Sequence, residues 1–88
     1  MTQRLVNIST SYTQLNVSTV TGTIVFQNIG GAPMLVKRST SAPSDDSGAF
    51  LYEPGYGERG DIDDLFPTLG DYLWARSARG TLATVDHL

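Results

Sequence analysis

The sequence has no cysteine, so neither a disulfide nor a thiolate metal cage supplements its core. It has a single histidine, His87, at the penultimate position. Terminal residues are poorly held, which argues against a His-dependent triad, a zinc site or a positioned histidine base, and with them against an enzyme or a bound cofactor. No apolar run approaches the roughly 20 residues that span a bilayer, so no membrane segment is expected. The stretch from Met1 to Ile8 lacks the apolar core and small-residue cleavage site of a signal peptide; the reading is a chain made in a cytoplasm. Acid is missing from residues 1–44, which carry Arg4, Lys37 and Arg38. All nine acids fall in residues 45–88, against Arg59, Arg76 and Arg79, for a net charge of −3. Three bases over the first half are too sparse for a phosphate track, so nucleic acid is not the expected partner.

What the sequence does have is hydroxyls and turn residues. Eight Ser and ten Thr accompany 40 % hydrophobic and 17 % charged residues, a mixture that suits strands better than helices. Its 88 residues make one domain, 1–88, burying a little over about 60 % of its unfolded surface. Such thin reserves are often supplemented by association.

Arg4–Ser9 is the first candidate strand, and Leu15–Ser18 extends it or pairs with it. Thr23–Asn28 is the strongest strand signal, with Ile24 and Phe26 on one face. Asn28-Ile-Gly-Gly-Ala-Pro33 reads as the turn of a hairpin whose return strand is Met34–Ser39. Thr40–Gly48 reads as an ordered surface loop and Ala49–Glu53 as a short strand stopped by Pro54. Gly55–Gly60 reads as a tight connection. Asp61–Phe66 is either one helical turn capped by Asp61 or a short edge strand. Asp71–Ser77 is a clear strand with Tyr72, Trp74 and Arg76 on one side, and Ala78-Arg-Gly80 turns it into an antiparallel return, Thr81–Asp86. Six to seven short strands joined by Gly/Pro turns predict an all-β fold, a small antiparallel sandwich or barrel. Residues 1–19 read as an N-terminal strand or arm available to a partner, and 20–86 as the sandwich core.

The densest carboxylate cluster, Glu58 to Asp64, offers Asp61, Asp63 and Asp64 as calcium ligands, but lacks EF-hand spacing; a solvated acidic loop is the first reading and no metal is expected. Gly55-Tyr-Gly-Glu-Arg-Gly60 matches a dinucleotide fingerprint without its strand–turn–helix context. Arg59-Gly-Asp61, and the sequons at Asn7 and Asn16, are read as chance. Trp74 is read first as core and second as part of an amphipathic face, with Tyr72 and Arg76, that a partner covers.

Three segments in order carry a resemblance: Gly22-Thr-Ile-Val-Phe-Gln-Asn-Ile-Gly-Gly-Ala-Pro-Met-Leu-Val, then Ser41-Ala-Pro-Ser-Asp-Asp-Ser-Gly-Ala-Phe, then Leu73-Trp-Ala-Arg-Ser-Ala-Arg-Gly-Thr-Leu. Over about residues 20 to 86 the chain resembles small β-sandwich virion proteins of tailed bacteriophages, departing from them in an insertion over Glu58–Gly70, read as a contact loop. The resemblance implies a non-catalytic virion role, a capsid decoration or cement protein on the major capsid protein, or else a neck or tail adaptor or a fibre-attachment protein. It further implies a homo-oligomer, with a trimer expected. Arg4, Lys37 and Arg38 are then candidate contacts to an acidic capsid surface, and Leu5 and Val6 belong to a strand that augments a neighbour's sheet. The alternative of a different class is a carbohydrate-binding module with Tyr52, Tyr56 and Trp74 as its platform.

Overall fold

A computed structural model describes residues 2–16, 22–67 and 70–87. In chain order it contains β1 (Thr2–Ile8), β2 (Thr13–Gln14), β3 (Thr23–Asn28), β4 (Met34–Ser39), β5 (Phe50–Tyr52), β6 (Gly57–Asp61), α1 (Ile62–Leu65), β7 (Tyr72–Arg76) and β8 (Thr81–His87). Two four-stranded sheets form, ordered β1-β8-β3-β6 and β2-β7-β4-β5, and every pairing is antiparallel. The molecule is a small all-β sandwich.

The two strand orders correspond place by place. Each position in one sheet is held by the chain neighbour of the strand at that position in the other, so the fold is a set of arches rather than hairpins. This corrects two readings. β3 and β4 are not a hairpin, and neither are β7 and β8; each pair crosses between the sheets. An apolar face shows that a strand must bury one side, but it can do so beside its neighbour or opposite it. Alternation does not distinguish the two. Here Ile24 and Phe26 of β3 and Met34 and Val36 of β4 all point inward, as do Leu73 and Ala75 of β7 and Ala83 and Val85 of β8.

Asn28 decides the crossing. Its side chain is fully buried, and its amide nitrogen donates to the carbonyls of Ala32 (2.8 Å) and Tyr52 (2.9 Å). Its carbonyl oxygen accepts from the Gly30 N–H (3.2 Å) and the Thr81 hydroxyl (2.8 Å). One side chain therefore ties together the 29–33, 53–56 and 77–80 arches, all at one end of the sandwich. Asn16, also buried, accepts from the Leu73 N–H at 2.8 Å and fixes the chain after β2 to β7.

The N-terminal strand belongs to this core. β1 pairs with β8 from Thr2 to Ile8, and Val6 and Ile8 are buried, so of the two readings of the N-terminal segment, strand or arm, residues 2–8 are a strand of the core sheet. Of the Leu15–Ser18 segment, Leu15 and Asn16 are buried outside any strand, and Val17 and Ser18 lie outside the described residues. The His87 backbone, expected to be loose, is the last rung of β8 and pairs with Thr2 and Ile24.

Gly55–Gly60 is not simply a connection. From Gly57 onward it is β6, an edge strand paired with β3. Gly57 is needed because a Cβ there would strike the Phe26 carbonyl and the Gln27 Cα, so a glycine that looks like a turn marks a close backbone approach. Glu58–Gly70, read from the resemblance as an inserted contact loop, thus begins as part of a sheet. It continues as α1, capped by the Asp61 carboxylate, which accepts from the Asp63 N–H at 2.9 Å. Ile62 and Phe66 close the core beneath it, and Phe66 meets the rings of Phe26 and Phe50 at 6.1 and 5.4 Å between centroids.

Candidate functional site

The strand alternation of β7 places Tyr72, Trp74 and Arg76 on the outer face of the second sheet, with Leu73 and Ala75 beneath them at 0 % exposure. Trp74 is therefore not a core residue. Its indole N–H donates to the Ser39 carbonyl at 2.9 Å and its ring meets Tyr72 edge-on, 6.3 Å between centroids. On β4 the same face carries Leu35 and Lys37, in register with Arg76 and Trp74.

Much of that face is covered by the chain's own 40–49 loop. Lys37 pairs with Asp45 at 3.0 Å, and Asp45 also accepts from the Ser47 N–H. The Lys37 contact, then the Ser47 N–H, hold the Asp45 carboxyl below the usual carboxylate range. Asp46 reaches further, taking two hydrogen bonds from the Arg76 guanidinium and one, 2.7 Å, from the Tyr12 hydroxyl. These bonds, Arg76 first and Tyr12 second, pull Asp46 down to about 2. Burial and then the Asp46 contact push Tyr12 up to about 12. The Arg76 guanidinium, raised by the same carboxylate, stands 5.9 Å over the Tyr12 ring. These groups fasten a loop.

The remaining expected contacts separate. Arg38 faces inward at the opposite end from the arches. Its Nε donates to the Gly70 carbonyl, and Nη1 to the Phe66 carbonyl and Asp63, each at 2.8 Å. At 9 % side-chain exposure it is an internal strut rather than a surface cation. Arg4 donates to the Leu15 carbonyl at 2.9 Å, bridging from β1 to the chain after β2. Val6 is core, whereas its neighbour Leu5 is 64 % exposed. Asp61 is spent on the helix cap and Asp63 on Arg38. Among the described residues no group of three or more His, Asp or Glu side chains is placed to hold a metal ion. The aromatic platform does not assemble: the Tyr52 ring packs inward against Phe26, edge-on at 5.1 Å, while Trp74 lies on the outer face two strands away. Arg59-Gly-Asp61 is a run of edge strand β6, not a loop tip.

Reading the sequence missed Tyr12, Asp46 and Asn28. Asn28 carried a signal, since it stands two residues before the Gly30-Gly31 pair. The Asp46–Tyr12 pair joins residues 34 positions apart and left no local trace.

Four sheet edges are left, and they differ. β2 has two residues and β5 three, the latter followed by Pro54; β6 carries Glu58, Arg59 and two glycines. β1 is seven residues long, without proline, and among the described residues pairs on one side only, with β8. Its Arg4 side chain is held by Leu15, and Leu5 stands exposed at its middle. β1 is the long edge without the usual blocking devices. No model of a known protein family matches the chain, and neither a curated protein nor a solved structure matches it.

Proposed function

We propose that the chain is a non-enzymatic structural protein of a tailed-phage particle, made in the bacterial cytoplasm and carried in the virion as a capsid decoration or cement protein, acting as a homo-oligomer. The observation that carries this reading is the open edge of β1 with Leu5 exposed at its centre. An unguarded edge of this length can take a strand from another protein, main-chain bonds supplying affinity and Leu5 an apolar anchor. The resemblance of residues 22–36, 41–50 and 73–82 to small phage β-sandwich proteins is the ground for naming the class of partner, the major capsid protein. Subunits that bind only the assembled lattice stabilise it by mass action, RT ln(1 + [L]/Kd) per site, and linked copies add avidity across neighbouring capsomers. A neck or tail adaptor would use the same edge on a different partner.

The test is reconstitution. Purified chain is added to particles assembled without its gene, and the particles are pelleted. The wild type cosediments at saturable stoichiometry, whereas Leu5→Lys, which places a charge on the edge at an exposed position, remains in the supernatant with an unchanged circular dichroism spectrum. A wild-type chain that stays in the supernatant overturns the proposal.

A further inference from the structure

The outer face of the second sheet is covered by its own loop only as far as Lys37 and Arg76. Toward the arches its described residues open to solvent, with Pro33 and Leu51 exposed and Leu35 half-buried. Leu35 and Leu51 stand opposite each other on β4 and β5, with Arg76 on the other side of Leu35. With Pro33 and Ala78 they line a depression of about 490 Å³ that Arg79 borders. Leu51 is 58 % exposed, and the exposed Ile29 and Tyr56 belong to the same end. A bare apolar strip of this kind on a small domain marks an association surface.

Charge identifies the occupant. β4 lies between β7 and β5. Arg79 follows β7 on one side of the strip and Glu53 follows β5 on the other, both exposed. Neither side chain has an ion pair or hydrogen bond among the described residues. A patch with opposite free charges on its two flanks and Leu35 at its middle is complementary to itself under a twofold rotation. We propose that this end of the sandwich is the contact between two copies of the chain, related by a twofold axis running along β4. Glu53 of each copy meets Arg79 of the partner subunit, Leu35 packs against its counterpart at the axis, and Leu51 packs against the apolar stem of Arg76 of the partner subunit. The inference deepens the proposed function by naming the surface through which copies associate, and it makes that contact twofold where the sequence led to a trimer. β1 stays outside it, free for the lattice.

Sedimentation velocity over a dilution series reads the result. The wild type runs at twice the 9.5 kDa chain mass and falls to the single mass on dilution. Glu53→Arg and Arg79→Glu each oppose like charges twice and raise the dimer dissociation constant by about tenfold or more. The double variant, with both charges exchanged, returns it to near the wild-type value. Leu51→Glu abolishes the dimer without changing the fold, checked by circular dichroism. A wild type that is monomeric at every concentration, single variants that associate normally, or a double variant that fails to recover would each overturn the assignment. A monomeric wild type that still cosediments with particles removes the twofold contact alone, and a dimer that does not cosediment removes the virion reading alone.

Discussion

Replacing Asn28 by alanine tests the arch architecture at its anchor. The substitution deletes two donated hydrogen bonds, to Ala32 and Tyr52, and two accepted ones, from Gly30 and Thr81. The Gly30 N–H keeps a bond to the Leu82 carbonyl, but the carbonyls facing the lost amide are left in a buried site. At about 0.5–1.5 kcal/mol per bond, with more for groups stranded without a partner, the loss comes to about 3 kcal/mol. Against a total stability of roughly 4–13 kcal/mol for a domain of this size, that is a large share. It corresponds to a fall in Tm of roughly 12–24 °C. Urea unfolding followed by Trp74 fluorescence measures it, with a lower midpoint and an unchanged slope. Asn28→Asp sharpens the test. Its carboxylate would face two carbonyls, so its folded pKa is raised above the unfolded value. The contribution of the protonated side chain is then present in acid and lost as pH rises through the folded pKa, making this variant relatively more stable at low pH. A loss below about 1 kcal/mol for Asn28→Ala would refute the view that one buried amide holds the arches together.

Other consequences follow from the same structure. Deleting residues 1–10 removes β1 with the buried Val6 and Ile8, at about 1.5–3 kcal/mol each; the truncated chain is expected to be unfolded by circular dichroism, and a native spectrum would show that β1 is dispensable. Gly57→Ala drives a Cβ into the backbone of β3 and costs about 1–3 kcal/mol, with hydrogen-exchange protection lost first over 57–61; unchanged protection there would contradict the close approach. Asp46, held down by Arg76 and Tyr12, contributes stability that is present above the ordinary carboxylate pKa and lost as pH falls through about 2. A carboxyl carbon titration by NMR with its midpoint near 2 is expected, and a midpoint near the unperturbed value of about 3.9 would mean the loop is not fastened as described.

Much of the fold was legible locally. The inward alternation of β3, β4 and β7 follows from Ile24, Phe26, Met34, Val36, Leu73 and Ala75, while Asp61 before Ile62 pointed to a helical turn only as one of two readings. What was not legible is which strands face each other and which lie side by side. That depends on the bonds Asn28 makes to Tyr52 and Thr81, 24 and 53 residues away. β6 was hidden for a related reason, because Gly57 answers to the backbone of β3 rather than to a turn. The surface was harder still. Arg38 and Lys37 are neighbours in sequence, yet the strand alternation sends one into the interior and the other to a loop carboxylate. A cation in a sequence carries no mark of being already paired.

The proposed place of this domain in a phage particle is open to direct measurement. Peptide fingerprinting of gradient-purified particles from the source of the sequence, quantified against the major capsid protein, tests it most directly. The expected result is many copies of the chain per particle, at a fixed ratio to the capsid subunit. A chain abundant in the lysate and missing from the particles would contradict it.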